Sequence, residues 1–308
     1  MTQYASELAD FSDLLRATAQ ERGIPAAIVE KDYYLTTALR ALAEGHDNEF
    51  VLKGGTSLSK GWQLLERFSE DIDLLLRDDG RSGKAARHKL LKGCAQTIEG
   101  TRRFESQQTG DSETGVHRTV IFTYPSVAND LPGLGKTVIL EAGYRGSTAG
   151  AVKHQVQSMV AEFAAARGHK DIATDLSRFE LEVQCLERTF VEKLFAAHAA
   201  YTKDYARGKA RHYYDLYELC KRPEVSTFAG TKEYRQCVAE VCEFCRRTFQ
   251  DQALPQSESF AASPAFQPDS AGLRELERSY TDEGRLFFGK QPPLAEVLKV
   301  IGQLLSRL

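Results

Sequence analysis

The sequence predicts a mixed α/β (α+β) fold, with a mixed sheet in its first half and a mainly helical second half. Three observations carry that expectation. Short apolar runs at residues 50–52 and 72–76 end or begin at glycine and aspartate, as buried strands do. Apolar positions recur at helical spacing on either side of them, and from about residue 153 onward that spacing dominates. A chain of 308 residues, 42% hydrophobic and 27% charged, has the composition of a globular protein able to bury one large core or two ordinary ones.

The elements follow in order. Helical spacing predicts helices at about 4–22 and 26–44, with Gly23-Ile24-Pro25 as the break. Residues 50–52 read as a buried strand running into Gly54-Gly55, and Thr56 as the cap of a helix reaching about residue 66. A second buried strand spans 72–76, a polar turn 77–84 and a helix about 85–99. Strands are expected at 116–124 and 136–143, separated by a loop, and at 179–185 within the otherwise helical half. Residues 189–202 and 211–222 read as helices and 257–270 as a loop. The composition shift places a boundary near residue 155, giving units of 1–155 and 156–308.

Composition also restricts function. A net charge of -3 is not that of a polycation coating nucleic acid, so RNA contact would need a local basic patch. Arg102-Arg103, Arg145, Lys203, Arg207 and Lys209 are the candidates for one. No run approaches the roughly 18 apolar residues of a membrane span, and the N-terminus lacks a secretory pattern. The cysteines, Cys242 and Cys245 included, read as reduced thiols, so the expected location is the cytoplasm.

Two features carry chemistry. On a strand, alternate side chains share a face, so Asp71 and Asp73 point the same way while Ile72 enters the core. Two like charges about 6–7 Å apart are relieved by a cation, and hard carboxylate oxygens suit Mg²⁺, or Mn²⁺. Gly54-Gly55 at a helix start lets the backbone approach a phosphate, with the amides of Thr56 and Ser57 aimed at it and Lys60 adding charge. The order strand, glycine pair, helix, Asp-x-Asp strand is what phosphoryl transfer from a nucleoside triphosphate (NTP) requires. The glycine spacing is not that of a P-loop.

Those residues, Gly54-Gly55-Thr56-Ser57-Leu58-Ser59-Lys60 and Arg67-Phe68-Ser69-Glu70-Asp71-Ile72-Asp73-Leu74, resemble the signature of the AbiEii/AbiGii toxin family. Glu30-Lys31-Asp32-Tyr33 resembles its N-terminal motif, the run from Glu187 to Lys193 an internal one, and Arg211 to Tyr217 the closing one. The resemblance implies a DNA polymerase β-like nucleotidyltransferase core related to the MenT toxins, completed by the helical half. It makes Lys193 and Asp215 catalytic together with Asp71 and Asp73, and places Arg211 near phosphate. A third metal carboxylate is expected, and Glu141, in a later strand, is the candidate; as an edge-strand surface residue it reads equally well. From the residues alone Lys193 is a solvated helix lysine, and Asp215 pairs with Arg211 four residues back. The implied activity is a toxin of a toxin–antitoxin or phage-defence pair, with a winged-helix protein as cognate antitoxin. It would transfer a nucleoside monophosphate (NMP) from an NTP to RNA, at the 3′ end of tRNA. Modification of a protein hydroxyl, or a non-catalytic binding module on the same fold, are the alternatives.

Overall fold

A computed structural model describes residues 3–78, 83–111, 116–144, 146–169, 171–248 and 260–308. The chain forms two units, one of Met1–Gln63 with Ser69–Val183, the other of Leu64–Phe68 with Gln184–Leu308. The division thus falls after Val183 rather than near residue 155.

The first unit is built on a seven-stranded sheet. Its strands are β1 (Phe50–Lys53), β2 (Asp71–Leu76), β3 (Glu105–Asp111), β4 (His117–Thr123), β5 (Thr137–Gly143), β6 (Val152–Val156) and β7 (Phe179–Val183), in the spatial order β3-β4-β5-β2-β1-β7-β6. β2 runs antiparallel to β1 and parallel to β5, and β1 parallel to β7, so the sheet is mixed. Central strands are the apolar ones: Val51, Leu52, Ile72, Val138 and Leu140 are fully buried. The edge strands β3 and β6, which periodicity did not reveal, read Glu-Ser-Gln-Gln-Thr-Gly-Asp and Val-Lys-His-Gln-Val. An edge strand buries little and so carries almost no apolar alternation. β6 and β7 complete this sheet, which is why the unit extends past residue 155.

The longer helices of this unit are α1 (Phe11–Arg22), α2 (Ala26–Gly45), α4 (Lys84–Gly100) and α5 (Met159–Ala166); α2 and α4 pack on the sheet, and α1 and α5 on α2. α1 ends at Gly23, whose φ of 66° is the left-handed conformation glycine adopts without a Cβ clash. α2 is buried almost all round between α1, α4, α5 and the sheet, and its buried residues include Glu30, Lys31 and Asp32. After β1 the chain forms the short helix α3 (Gly54–Thr56) and then a π-helical turn, Ser57–Gly61. The helix expected to reach residue 66 stops there, and Leu64–Phe68 groups with the second unit.

In the second unit α6 (Leu186–Asp204) packs against α7 (Arg211–Cys220), α8 (Pro223–Phe228) and α9 (Lys232–Thr248). Helices α10 (Ser270–Asp282) and α11 (Leu294–Leu305) follow, the latter packing on α7. Leu294, Val297, Ile301 and Leu304 form the buried stripe of α11 at the spacing of one helix face. The cysteines are free, with Cys242 and Cys245 buried in α9. No described helix is long and apolar enough to cross a membrane.

Candidate active site

In the first unit the sheet register assembles the acidic face. Lys53 of β1 is opposite Asp73, Asp73 is opposite Glu141 of β5, and Asp71 is opposite Ile139. Asp71, Asp73 and Glu141 therefore share one face, all three half-buried, while Ile72, Leu74 and Leu140 fill the other. Gly54 lies against this face with φ of 72°, and a Cβ there would collide with the Asp73 carboxylate, whose Cγ is 3.1 Å away. Conformation and space both demand glycine. The first-turn amides after Lys53 receive no side-chain cap.

The hydroxyls beside the glycines are engaged locally. Thr56 Oγ1 donates to the Asp71 carbonyl, and Ser57 Oγ to the Gly54 carbonyl at 2.9 Å; both residues are fully buried. They fix the turn against β2, so the backbone amides of this turn are the groups suited to a phosphate. Lys60 is ion-paired with Asp32, and its Nζ lies 3.3 Å from the Gln157 carbonyl. Asp32 also accepts from the Met159 amide at 2.8 Å, which caps α5. Lys31 pairs with Glu70 at 2.6 Å, one residue before Asp71. Glu30 accepts from Ser126 Oγ at 2.6 Å and from the amides of Val127 and Ala128 at 2.6 and 3.2 Å. The Glu-Lys-Asp motif is thus a buried clamp, each member tying α2 to a different segment.

The donor set fits a hard divalent cation. Two or three carboxylates on one face, beside amides suited to phosphate, match the way Mg²⁺ is held with waters and substrate oxygens completing the shell. Among the described residues no three Asp, Glu, His or Cys groups are gathered as a finished ligand set.

In the second unit a charged cluster centres on Asp215 of α7, which is wholly buried. Arg67 grips it with both arms, Nε to Oδ1 and Nη2 to Oδ2, each at 2.7 Å. Lys193 Nζ adds a third contact at 2.7 Å and lies 3.3 Å from Nδ1 of His212. Burial pushes the Asp215 carboxyl pKa up, but Arg67 and Lys193 outweigh it and hold it well below the usual carboxylate range. Burial, reinforced by the Lys193 ammonium, drives the His212 pKa well below that of a free imidazole. The imidazole is therefore neutral and can accept from the lysine. Arg211 does not pair with Asp215: its guanidinium donates to the Gly208 carbonyl at 2.8 Å, and its amide to Glu283 at 2.7 Å.

A family description of nucleotidyl transferase toxins of type IV toxin–antitoxin systems, AbiEii, matches residues 37–298. The chain belongs to the AbiEii family. It is accordingly a nucleotidyltransferase toxin, with a nucleotide substrate and an antitoxin partner. Its fold is shared with MenT4, a nucleotidyltransferase toxin from Mycobacterium tuberculosis, at a TM-score of 0.64 and 18% identity over 96% of this chain and 90% of that one. No curated protein sequence matches the chain.

Arg67 is the residue that sequence reasoning passed over in this AbiEii chain. An arginine in a motif next to acidic residues reads as a local partner for them. Its actual partner lies 148 positions away. Of the basic residues singled out for a surface patch, Arg103 pairs with Glu7, and Arg145 lies outside the described residues.

Proposed function

We propose that this AbiEii chain is a Mg²⁺-dependent enzyme that transfers an NMP from an NTP to RNA, at the 3′ end of tRNA, and so blocks translation in the cytoplasm. The observation that carries the reading is the register joining Asp71, Asp73 and Glu141 on one face, with Gly54 pressed against Asp73. Asp71 and Asp73, with Glu141 beside them, would hold the metal. Bound there, Mg²⁺ would neutralise triphosphate charge and lower the pKa of the attacking hydroxyl.

The chain's own residues do the rest. The backbone amides at Gly54–Thr56 would seat phosphate oxygens, with Thr56, Ser57 and Lys60 holding that turn in place. Lys193 would present a point charge to phosphate. Asp215 would act as a positioning residue, fixing the direction of the Lys193 ammonium through its own grip on Arg67. The acceptor hydroxyl attacks the α-phosphorus; its new P–O bond forms as the bond to pyrophosphate breaks. A winged-helix protein is the expected antitoxin, and phage defence an expected setting.

Incubation with labelled NTPs and total RNA tests the reading. Label is expected on tRNA 3′ ends, lost with EDTA and with Asp73→Ala. Label on protein and not RNA would overturn the RNA acceptor, and undiminished toxicity of Asp71→Ala and Asp73→Ala chains in cells would overturn the enzymatic reading.

A further inference from the structure

The connection between α6 and α7, residues 205–210, has an unusual composition and geometry. Between positions 203 and 211 the chain carries Lys203, Arg207, Lys209 and Arg211 against Asp204 alone, a local +3 within a chain of net charge -3. Within it Arg207 lies 3.5 Å from Asp204, the one acid of the stretch. Lys203 and Lys209 make no side-chain ion pair or hydrogen bond among the described residues, and both are exposed.

The backbone holds this segment in one shape. Tyr205 and Ala206 are both left-handed, with φ of 47° and 59°. The position that closes α6 normally takes glycine, and tyrosine there is strained. The amides of Tyr205 and Ala206 return to the carbonyls of Tyr201 and Ala200 at 2.8 and 3.0 Å, and Ala206 and Ala210 are fully buried anchors. Glu283 accepts the amides of Ala210 and Arg211. Between those anchors the Tyr205 ring stands 43% exposed, edge-on to Tyr201 with centroids 5.5 Å apart. An exposed ring held beside two lysines that make no ion pair among the described residues suits a nucleic-acid strand, bases stacking on the aromatic and phosphates meeting the lysines.

We infer that residues 203–209 are a docking surface for single-stranded RNA, with Tyr205 stacking on a base and Lys203, Arg207 and Lys209 meeting the backbone phosphates. Lys203 lies ten residues along α6 from Lys193. That is about 15 Å, or roughly four stacked nucleotides, so a strand lying on this surface can place its end beside Lys193. The inference rests on the reading of RNA as acceptor and names the element that grips it.

The test is binding, measured apart from transfer. A short fluorescent single-stranded RNA ending in CCA is titrated with the full chain, with Tyr205→Gly and with Lys203→Ala/Lys209→Ala, across a salt series. Glycine relieves the left-handed strain, so Tyr205→Gly should match or exceed the parent in melting temperature while weakening RNA binding roughly 5- to 100-fold. The double lysine variant should weaken binding and flatten the log–log salt dependence by about 1.4. Unchanged affinity in both variants, or no RNA binding by the parent, would overturn the surface. If binding depends on the loop as described but no nucleotide is transferred to RNA, the surface stands and the transferase reading of the acceptor fails. If RNA is labelled normally by variants with unaltered affinity, the reverse holds.

Discussion

Both units contain a buried lysine–aspartate pair, Lys60 with Asp32 in the first and Lys193 with Asp215 in the second, yet the two balance charge differently. In the first unit Asp32 pairs with Lys60 and Glu70 with Lys31, and the carboxylates Asp71, Asp73 and Glu141 share one face. In the second, one carboxylate faces two cations, since Asp215 is shared by Arg67 and Lys193, leaving one positive charge in that trio. The nearby Glu283 accepts the amides of Ala210 and Arg211 at the start of α7 and interacts with the charges of both Arg211 and Arg67. Carboxylates gathered on one face suit a metal ion, and an ammonium suits phosphate. The same pairing of residue types thus accompanies a carboxylate-bearing face in one unit and a carboxylate shared by two cations in the other.

The largest expected effect tests the acidic face. Gly54→Ala forces a Cβ into the Asp73 carboxylate at a positive φ. It should lower transfer at least ~100-fold, equivalent to about 2.7 kcal/mol of barrier, with a stability loss of about 1–3 kcal/mol read by urea denaturation. Normal turnover by this variant would separate Asp73 from the chemistry and break the comparison.

A smaller effect probes the cationic trio through pH. His212 is held neutral by burial and by Lys193, so its folded-state pKa lies below that of the unfolded chain. As pH falls through about 6.5 the unfolded chain takes up a proton that the folded one refuses, and stability is lost below that value. The slope from this one group is at most about 1.4 kcal/mol per pH unit, and His212→Gln should remove it. A stability profile from pH 7 to 5 that is unchanged by the substitution would mean that His212 does not accept from Lys193.

The smallest effect concerns Lys60. With its charge matched by Asp32, Lys60→Met should raise the KM for NTP by less than about threefold, whereas a lysine acting directly on phosphate would cost tenfold or more, about 1.4 kcal/mol. A large KM effect would show that both lysines face phosphate, and the contrast between the units would fail.

What the sequence reveals follows from the range of each interaction. The common face of Asp71 and Asp73 is readable because strand alternation has a period of two and the two residues are neighbours. Helices α2, α6 and α7 are readable from local spacing, and the central strands from their apolar runs. The edge strands β3 and β6 are not, because their sequences carry almost no apolar alternation. Because β6 is hidden, the unit boundary looks about thirty residues too early. Least readable are the partners of the charged motifs. Asp32 with Lys60, Lys31 with Glu70 and Asp215 with Arg67 are contacts between distant segments. Local pattern offers nearer candidates that look as good, as Arg211 does for Asp215. The Glu-Lys-Asp motif reads as a polar helix face and is instead one of the most deeply buried stretches of α2. Charged residues are buried there because each has a partner of opposite sign or a set of amides, which is a property of the fold and not of the motif.

In the proposed function Asp73 would belong to the chemistry, and Asp215 to the structure that positions Lys193. The most direct measurement is a side-by-side comparison of Asp73→Asn and Asp215→Asn for stability and NMP transfer. Asp73→Asn should change unfolding free energy by less than about 1 kcal/mol and abolish transfer. Asp215→Asn removes the buried charge that Arg67 and Lys193 share and should lose about 3–5 kcal/mol together with activity. Equal destabilisation by the two substitutions, or transfer that survives Asp73→Asn, would contradict the account.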